Sequence, residues 1–329
     1  MPQTFPLTGA VELAVVERSG FVESRHAGVA ITLAPDGTVV DKFGDVSALF
    51  LPRSSLKPLQ ALACLTAGAT LEGEQLGLAT ASHSGTDRHV DVVRDMLSAV
   101  GLGEDDLGCP PAWPIDPATR NSLVRDLGQP ASVRMSCSGK HAAMLAASVA
   151  NGWDPASYLD LNHPVQMHIR EVIERLTGEK IAASAVDGCG APIYALTVFG
   201  FARALHRIGT ASTTSPFALH RSAGALVQAV RAHPWTIDGP GRPDTVAIEQ
   251  LGVFAKSGAE GVMAMVAPDG TTTVVKVLDG SGRAGTAVAL RLLERAGSLS
   301  AQDVADTMSK LPLAVHGGGT TVGAIRPSV

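Results

Sequence analysis

The feature that most limits what this chain can fold into is a turn that occurs twice, near its two ends. Ala-Pro-Asp-Gly stands at 34–37 and again at 267–270. The first follows GVAITL (28–33) and leads into TVVDKF, and the second joins GVMAMV (261–266) to TTTVVKVL (271–278). Proline presets one turn dihedral and glycine accepts the conformation that closes the turn, so each stretch reads as a β-hairpin. A further extended segment, VELAVVER (11–18), precedes the first hairpin.

Between the hairpins the apolar periodicity becomes helical. Helices are predicted at about 54–67, 90–101, 138–151, 163–178 and 193–208, with another near 281–297 after the second hairpin. LGLATA (76–81) reads as a short strand, and the proline-rich stretches 109–117 and 233–243 read as loops. The order hairpin, helical block, hairpin, helix predicts an α+β fold, in which strands from both ends join one antiparallel sheet with helices packed on it. We expect a single catalytic domain over 1–329, its sheet part at about 10–50 and 245–329 and its mainly helical part at about 51–244.

Composition narrows the function. With 329 residues, 45% of them hydrophobic, and a net charge of -5, the chain can bury a large core and offers no basic footprint for nucleic acid. No G-x-G-x-x-G or G-x-x-x-x-G-K-[ST] supports nucleotide binding. No apolar run approaches a membrane span, and the N-terminus lacks the pattern of an export signal, so a cytoplasmic protein acting on a small molecule is expected. Four cysteines (Cys64, Cys109, Cys137, Cys189) are too few for a disulfide framework, which leaves free thiols or a metal site.

Lysine is scarce, seven against nineteen arginines, so its positions carry information. LPRSSLKPLQ (51–60) places Ser54 three residues before Lys57, with Pro58 suited to a first helical turn. Residues three apart share a helix face, which selects Ser54 over Ser55 as a nucleophile with Lys57 as its base. The plainer reading is a helix N-cap beside a solvated lysine, and composition alone supplies one such Ser-x-x-Lys by chance roughly half the time. Lys256 in KSG (256–258) favours the chemical reading. Serine penicillin-recognising enzymes combine S-x-x-K with a later K-T-G on a strand, and Ser82 or Ser84 in ASHSG fits a serine motif between them. Two lysines in one cleft depress each other's pKa, as a serine-activating amine requires.

SCSGKH gathers Cys137, Lys140 and His141 around a helix start, and DGCG sets Cys189 in a glycine-flanked turn. A Cys/Cys/His zinc site and buried packing cysteines are both open readings, since no C-x-x-C pair is present. His83 and His89 read equally well as helix-surface residues or site groups, and Asp187 as a turn organiser.

Taken together, RSSLKPLQALA, ASHSGTDRH, SCSGKHAAML, VDGCGAP and AKSGAEGV resemble the bacterial L-asparaginase II family, the rhizobial-type class 3 asparaginases, over nearly the whole chain from about Val11. The resemblance implies a fold similar to serine β-lactamases and serine-dependent glutaminases, a homodimer, and hydrolysis of L-asparagine to L-aspartate and ammonia. It implies two Ser-Lys pairs, Ser54 with Lys57 and Ser82 with Lys256. It also implies substrate contacts from Arg53, His83 and Asp187, and a zinc ion held by Cys137, Lys140 and Cys189, which replaces His141 as the third ligand. Ser55-Leu56 and Gly190 depart from the rhizobial pattern without removing any of these groups. Arg53 and Asp187 offer charges opposite to the carboxylate and ammonium of free asparagine. A penicillin-recognising hydrolase or peptidase, and a catalytically silent amino-acid or zinc-binding protein, are the competing expectations.

Overall fold

A computed structural model describes residues 2–329. In chain order the strands are β1 (Val11–Arg18), β2 (Phe21–Leu33), β3 (Val39–Phe43), β4 (Leu49–Phe50), β5 (Ala183–Val186), β6 (Pro192–Thr197), β7 (Phe254–Gly258), β8 (Val262–Val266), β9 (Thr272–Val277), β10 (Ala314–Gly317) and β11 (Thr320–Pro327). The helices are α1 (Lys57–Thr66), α2 (Gly73–Ala79), α3 (Asp87–Ser98), α4 (Pro117–Arg125), α5 (Ser138–Ala150), α6 (Pro164–Thr177), α7 (Val198–Gly209), α8 (Ala218–Ala232), α9 (Pro243–Leu251), α10 (Gly285–Arg295) and α11 (Ala301–Met308).

Both Ala-Pro-Asp-Gly turns form as expected. Gly37 and Gly270 donate back to Ala34 and Ala267, with φ of 84° and 98°, a region open to glycine. The hairpins they close lie side by side, because β2 pairs antiparallel with β9 from Gly28↔Val277 to Leu33↔Thr272. The main sheet runs β10-β11-β1-β2-β9-β8-β7, with β3 also paired to β2. Strands from the two ends of the chain thus build one antiparallel sheet, and the α+β class holds.

Successive side chains of a strand face opposite ways, and every residue of β8 and β9 is buried, so both sheet faces are covered there. The helices packed on these strands are α7 and α10. The remaining helices pack on one another, α1 against α5, α6 and α8, and α2 against α3, α5 and α8. A second small sheet, β4-β6-β5, lies apart from the main one. Among the described residues, no helix is long and apolar enough to cross a membrane.

Two segments differ from expectation. LGLATA is not a strand: Gly73–Ala79 is helical, and Leu76 to Ala79 are all buried. A short apolar run covered on every side has no polar face, and so no period to read. The segment 193–208 divides instead of forming one helix. PIYALT is β6, buried along Pro192–Leu196, and Thr197 Oγ1 accepts the Gly200 N–H at 2.8 Å to start α7.

Candidate active site

The stretch that opens the helical block folds as a 3₁₀ turn, Arg53–Leu56, running directly into α1 with Pro58 in its first turn. Ser54 does not cap the helix. Its neighbour Ser55 is buried and donates its hydroxyl to the Pro52 carbonyl at 2.7 Å. Ser54 is half-buried and its Oγ makes no hydrogen bond within the protein among the described residues, which leaves it open to a ligand. The end of β7 presses on this turn. A Cβ on Gly258 would stand 2.4 Å from the Pro52 oxygen, so only glycine permits the approach.

That approach brings Lys256 to Lys57. Both side chains are buried, at 1% and 0% exposure. Lys57 Nζ donates to the Ala81 carbonyl at 2.5 Å and the Ser136 carbonyl at 3.4 Å, and lies 3.0 Å from Ser82 Oγ. Lys256 Nζ donates to the Ser257 carbonyl at 2.8 Å and also lies 3.0 Å from Ser82 Oγ. Burial, with the Lys57 charge adding to it and Asp244 opposing, pushes the Lys256 amine down to about 8. The expected contact between Ser82 and Lys256 is present. Ser54 and Lys57 are neighbours in the turn without a hydrogen bond between their side chains, because Lys57 reaches to Ser82.

Behind Lys256 lies an acidic group that the sequence did not single out. Asp244, 1% exposed in the first turn of α9, stands 3.8 Å from Lys256 Nζ. Its Oδ2 accepts the Ser257 N–H and hydroxyl at 2.7 and 2.8 Å, while its Oδ1 is buried without a partner. Burial and the Asp244 charge raise the carboxyl of Asp238, which accepts from Arg242 Nε at 2.6 Å. Nothing in residue type marks Asp244. The only signal was its place in the helix that ends just before β7.

Arg53 and Asp187 meet, but with each other: Nε donates to Oδ1 at 2.8 Å, and Gly188 N–H adds a bond at 2.9 Å. Burial raises the Asp187 carboxyl, yet the Arg53 bond and the Lys140 charge outweigh it and hold the group low. Arg53 has a φ of 52°, strained for a residue with a side chain.

Next to Asp187, Lys140 Nζ donates to Cys189 Sγ at 3.0 Å. Cys189 Sγ also lies 3.9 Å from Asp187 Oδ2, and the proximity of Cys137 and Cys189 lowers the first thiol and raises the second. Two sulfurs and an amine suit a soft divalent ion such as zinc once their protons leave, so this trio fits the expected donor set. His141 turns away, its Nδ1 2.5 Å from the Tyr158 hydroxyl. Among the described residues, no group of three or more His, Cys, Asp and Glu side chains is placed to hold a metal, so the trio qualifies only with lysine as a ligand.

His83 is committed to the fold. It is fully buried, its Nδ1 accepts the Gly85 N–H at 3.1 Å, and its Nε2 bonds Ser138 Oγ at 2.8 Å at the start of α5. Burial, with the neighbouring His89 and Lys57, keeps it neutral. Neither ring nitrogen is left for a ligand. His89 is likewise buried, between Thr86 Oγ1 at 2.6 Å and the Trp235 carbonyl at 3.1 Å.

Against known proteins, a family model described as L-asparaginase II matches residues 14–327. No curated protein matches the chain. Among solved structures it is similar to Mglu in its native form, with TM-score 0.45 and 13% identity over 82% of this chain and 64% of that one. It is also similar to a β-lactamase from Mycobacterium bovis, with TM-score 0.45 and 16% identity over 83% and 95% of the two chains. A Bacillus glutaminase gives TM-score 0.44 and 13% identity over 82% and 91%. The chain spans 61% to 66% of the length of the Mglu chains it resembles.

Proposed function

This chain belongs to the L-asparaginase II family, and on that premise we propose that it is an amidohydrolase whose substrate is L-asparagine, cleaved to L-aspartate and ammonia through an acyl-enzyme on Ser54. The observation that carries the reading is the single oxygen, Ser82 Oγ, held 3.0 Å from two buried lysine amines beside an uncommitted serine.

An amide needs a nucleophile, a route for its proton and donors for the developing oxyanion. Ser54 Oγ attacks the side-chain carbonyl, and its proton passes to the Lys57 amine. The first backbone N–H groups of the turn, which have no partner within it, face the oxyanion. Ser82 links Lys57 to Lys256, so a proton entering at one amine leaves by the other, and the departing nitrogen takes its proton from Ser82. Ammonia leaves, an ester remains on Ser54, and water activated by the same relay releases aspartate and restores the hydroxyl. The Ser54–Lys57 hydrogen bond tightens when substrate enters, as catalytic bonds often do.

Arg53 and Asp187 bind the substrate carboxylate and ammonium, exchanging their mutual bond for bonds to the amino acid. Cys137, Lys140 and Cys189 would hold a zinc ion, which would supply a fixed positive charge beside the Asp187 turn. His83 positions Ser82 through the chain instead of touching substrate.

Incubating the pure protein with L-asparagine, L-glutamine and a chromogenic β-lactam tests the reading, with ammonia release and ring opening followed. Ammonia from asparagine is the expected result. Ring opening without ammonia would replace it with a penicillin-recognising hydrolase, and ligand-dependent stabilisation without turnover would replace it with a silent binding protein.

A further inference from the structure

A groove of about 480 Å³ has Arg53 in its wall but neither Ser54 nor Ser82. Leu49, Leu51, Ala185 and Leu278 give it apolar sides. Lys276 also lines it, on the same face of the chain as Leu278 two residues on.

Lys276 is the unusual member. It is 6% exposed and lies in the middle of a sheet. An ammonium has three donors, and this one uses a single hydrogen bond, to the Val277 carbonyl. Of the other buried lysines, Lys140 bonds Cys189 at 3.0 Å and Lys256 faces Asp244 at 3.8 Å, while Lys57, also without an ion pair, directs its amine at three oxygens, those of Ala81, Ser82 and Ser136. Among the described residues, Lys276 makes no ion pair. The acid that lines the groove, Glu260, pairs instead with Arg53 Nη1 at 3.8 Å. Burial lowers the Lys276 pKa, only partly offset by Glu260 and Asp279. With the Phe5 ring centroid 6.0 Å from Nζ, no ion pair to Glu260 or Asp279 and two donors unused, this buried amine in the groove wall is open to an anion.

We propose that the groove binds a small carboxylate with an apolar tail, the carboxylate accepting from Lys276 Nζ and the tail lying on Leu49, Leu51, Ala185 and Leu278. The groove does not include Ser54 or Ser82 and shares with the candidate active site Arg53, whose Nε donates to Asp187 at 2.8 Å. It is placed as an effector site.

Calorimetric titration of the full chain with hexanoate and with hexan-1-ol tests this, independently of any turnover. Hexanoate should bind with a stoichiometry of one, and hexan-1-ol at least about tenfold more weakly, the size of one charge-assisted hydrogen bond. Lys276→Met should bring hexanoate down to the level of the alcohol. Ala185→Trp, at a half-exposed edge position, should block both and keeps the test available if the lysine variant does not fold. Absence of hexanoate binding, or equal binding by either variant, would overturn the site.

Discussion

Lys57 and Lys256 meet at one atom: each Nζ lies 3.0 Å from Ser82 Oγ, although the two residues come from α1 and from an edge strand of the sheet nearly two hundred positions later. Burial, with the Lys57 charge adding to it, pushes the Lys256 amine down to about 8.

The first prediction is a pH dependence. Lys256 accepts a proton only when neutral, so kcat/KM should rise as pH passes through about 8 and level off above it. Stability should also rise with pH between about 8 and the ordinary lysine value, because in that window the unfolded chain binds the proton that the folded one has released. Lys256→Met should remove that stability slope together with turnover, measured by chemical denaturation across the range.

A second concerns Asp244, which faces Lys256 at 3.8 Å and favours its charged form. Asp244→Asn keeps an oxygen for the Ser257 N–H and removes the charge. The acid limb of the kcat/KM profile should move to lower pH. A limb that does not move would detach Asp244 from the lysine.

The serines separate by their surroundings. Ser54→Ala should lower kcat by at least about a thousandfold, with the melting temperature unchanged, since Oγ bonds nothing in the protein. Ser55→Ala should do the reverse, retaining turnover within a few-fold and losing about 1 kcal/mol of stability with the bond to the Pro52 carbonyl.

Arg53 offers a test of strain against contact. At φ 52° a glycine relaxes where an alanine does not, so Arg53→Gly should be more stable than Arg53→Ala by about 1 kcal/mol. Both should raise KM for asparagine by a similar factor, because both remove the guanidinium.

Zinc binding is read directly by native mass spectrometry. Wild-type protein dialysed against zinc should carry one ion per chain, while Cys137→Ser and Cys189→Ser should carry none at the same concentration. Equal loading of either variant would break the assignment.

What could be read from the sequence followed how locally each feature is determined. The two hairpins depend on Pro35 to Gly37 and Pro268 to Gly270, and α6 on Pro164 and the left-handed Gly178 that bracket it, so all three were legible. Leu76 to Ala79 are covered on every side, and burial without a polar face erased the helical signal. β10 and β11 each bury a single residue, with no apolar alternation to mark them. The meeting of Lys57 and Lys256 was legible because lysine is scarce in this chain and each position carried weight. Asp244 was not, since its place behind Lys256 follows from how α9 meets β7, and neither was the Arg53–Asp187 contact between residues 134 apart.

The most direct test of the proposed chemistry is to incubate the protein with an electrophilic asparagine analogue and map the adduct by peptide mass spectrometry. The expected result is a single adduct on Ser54, formed faster above pH 8 and absent in Ser54→Ala. An adduct on Ser82, or none on either serine while asparagine is still hydrolysed, would contradict it.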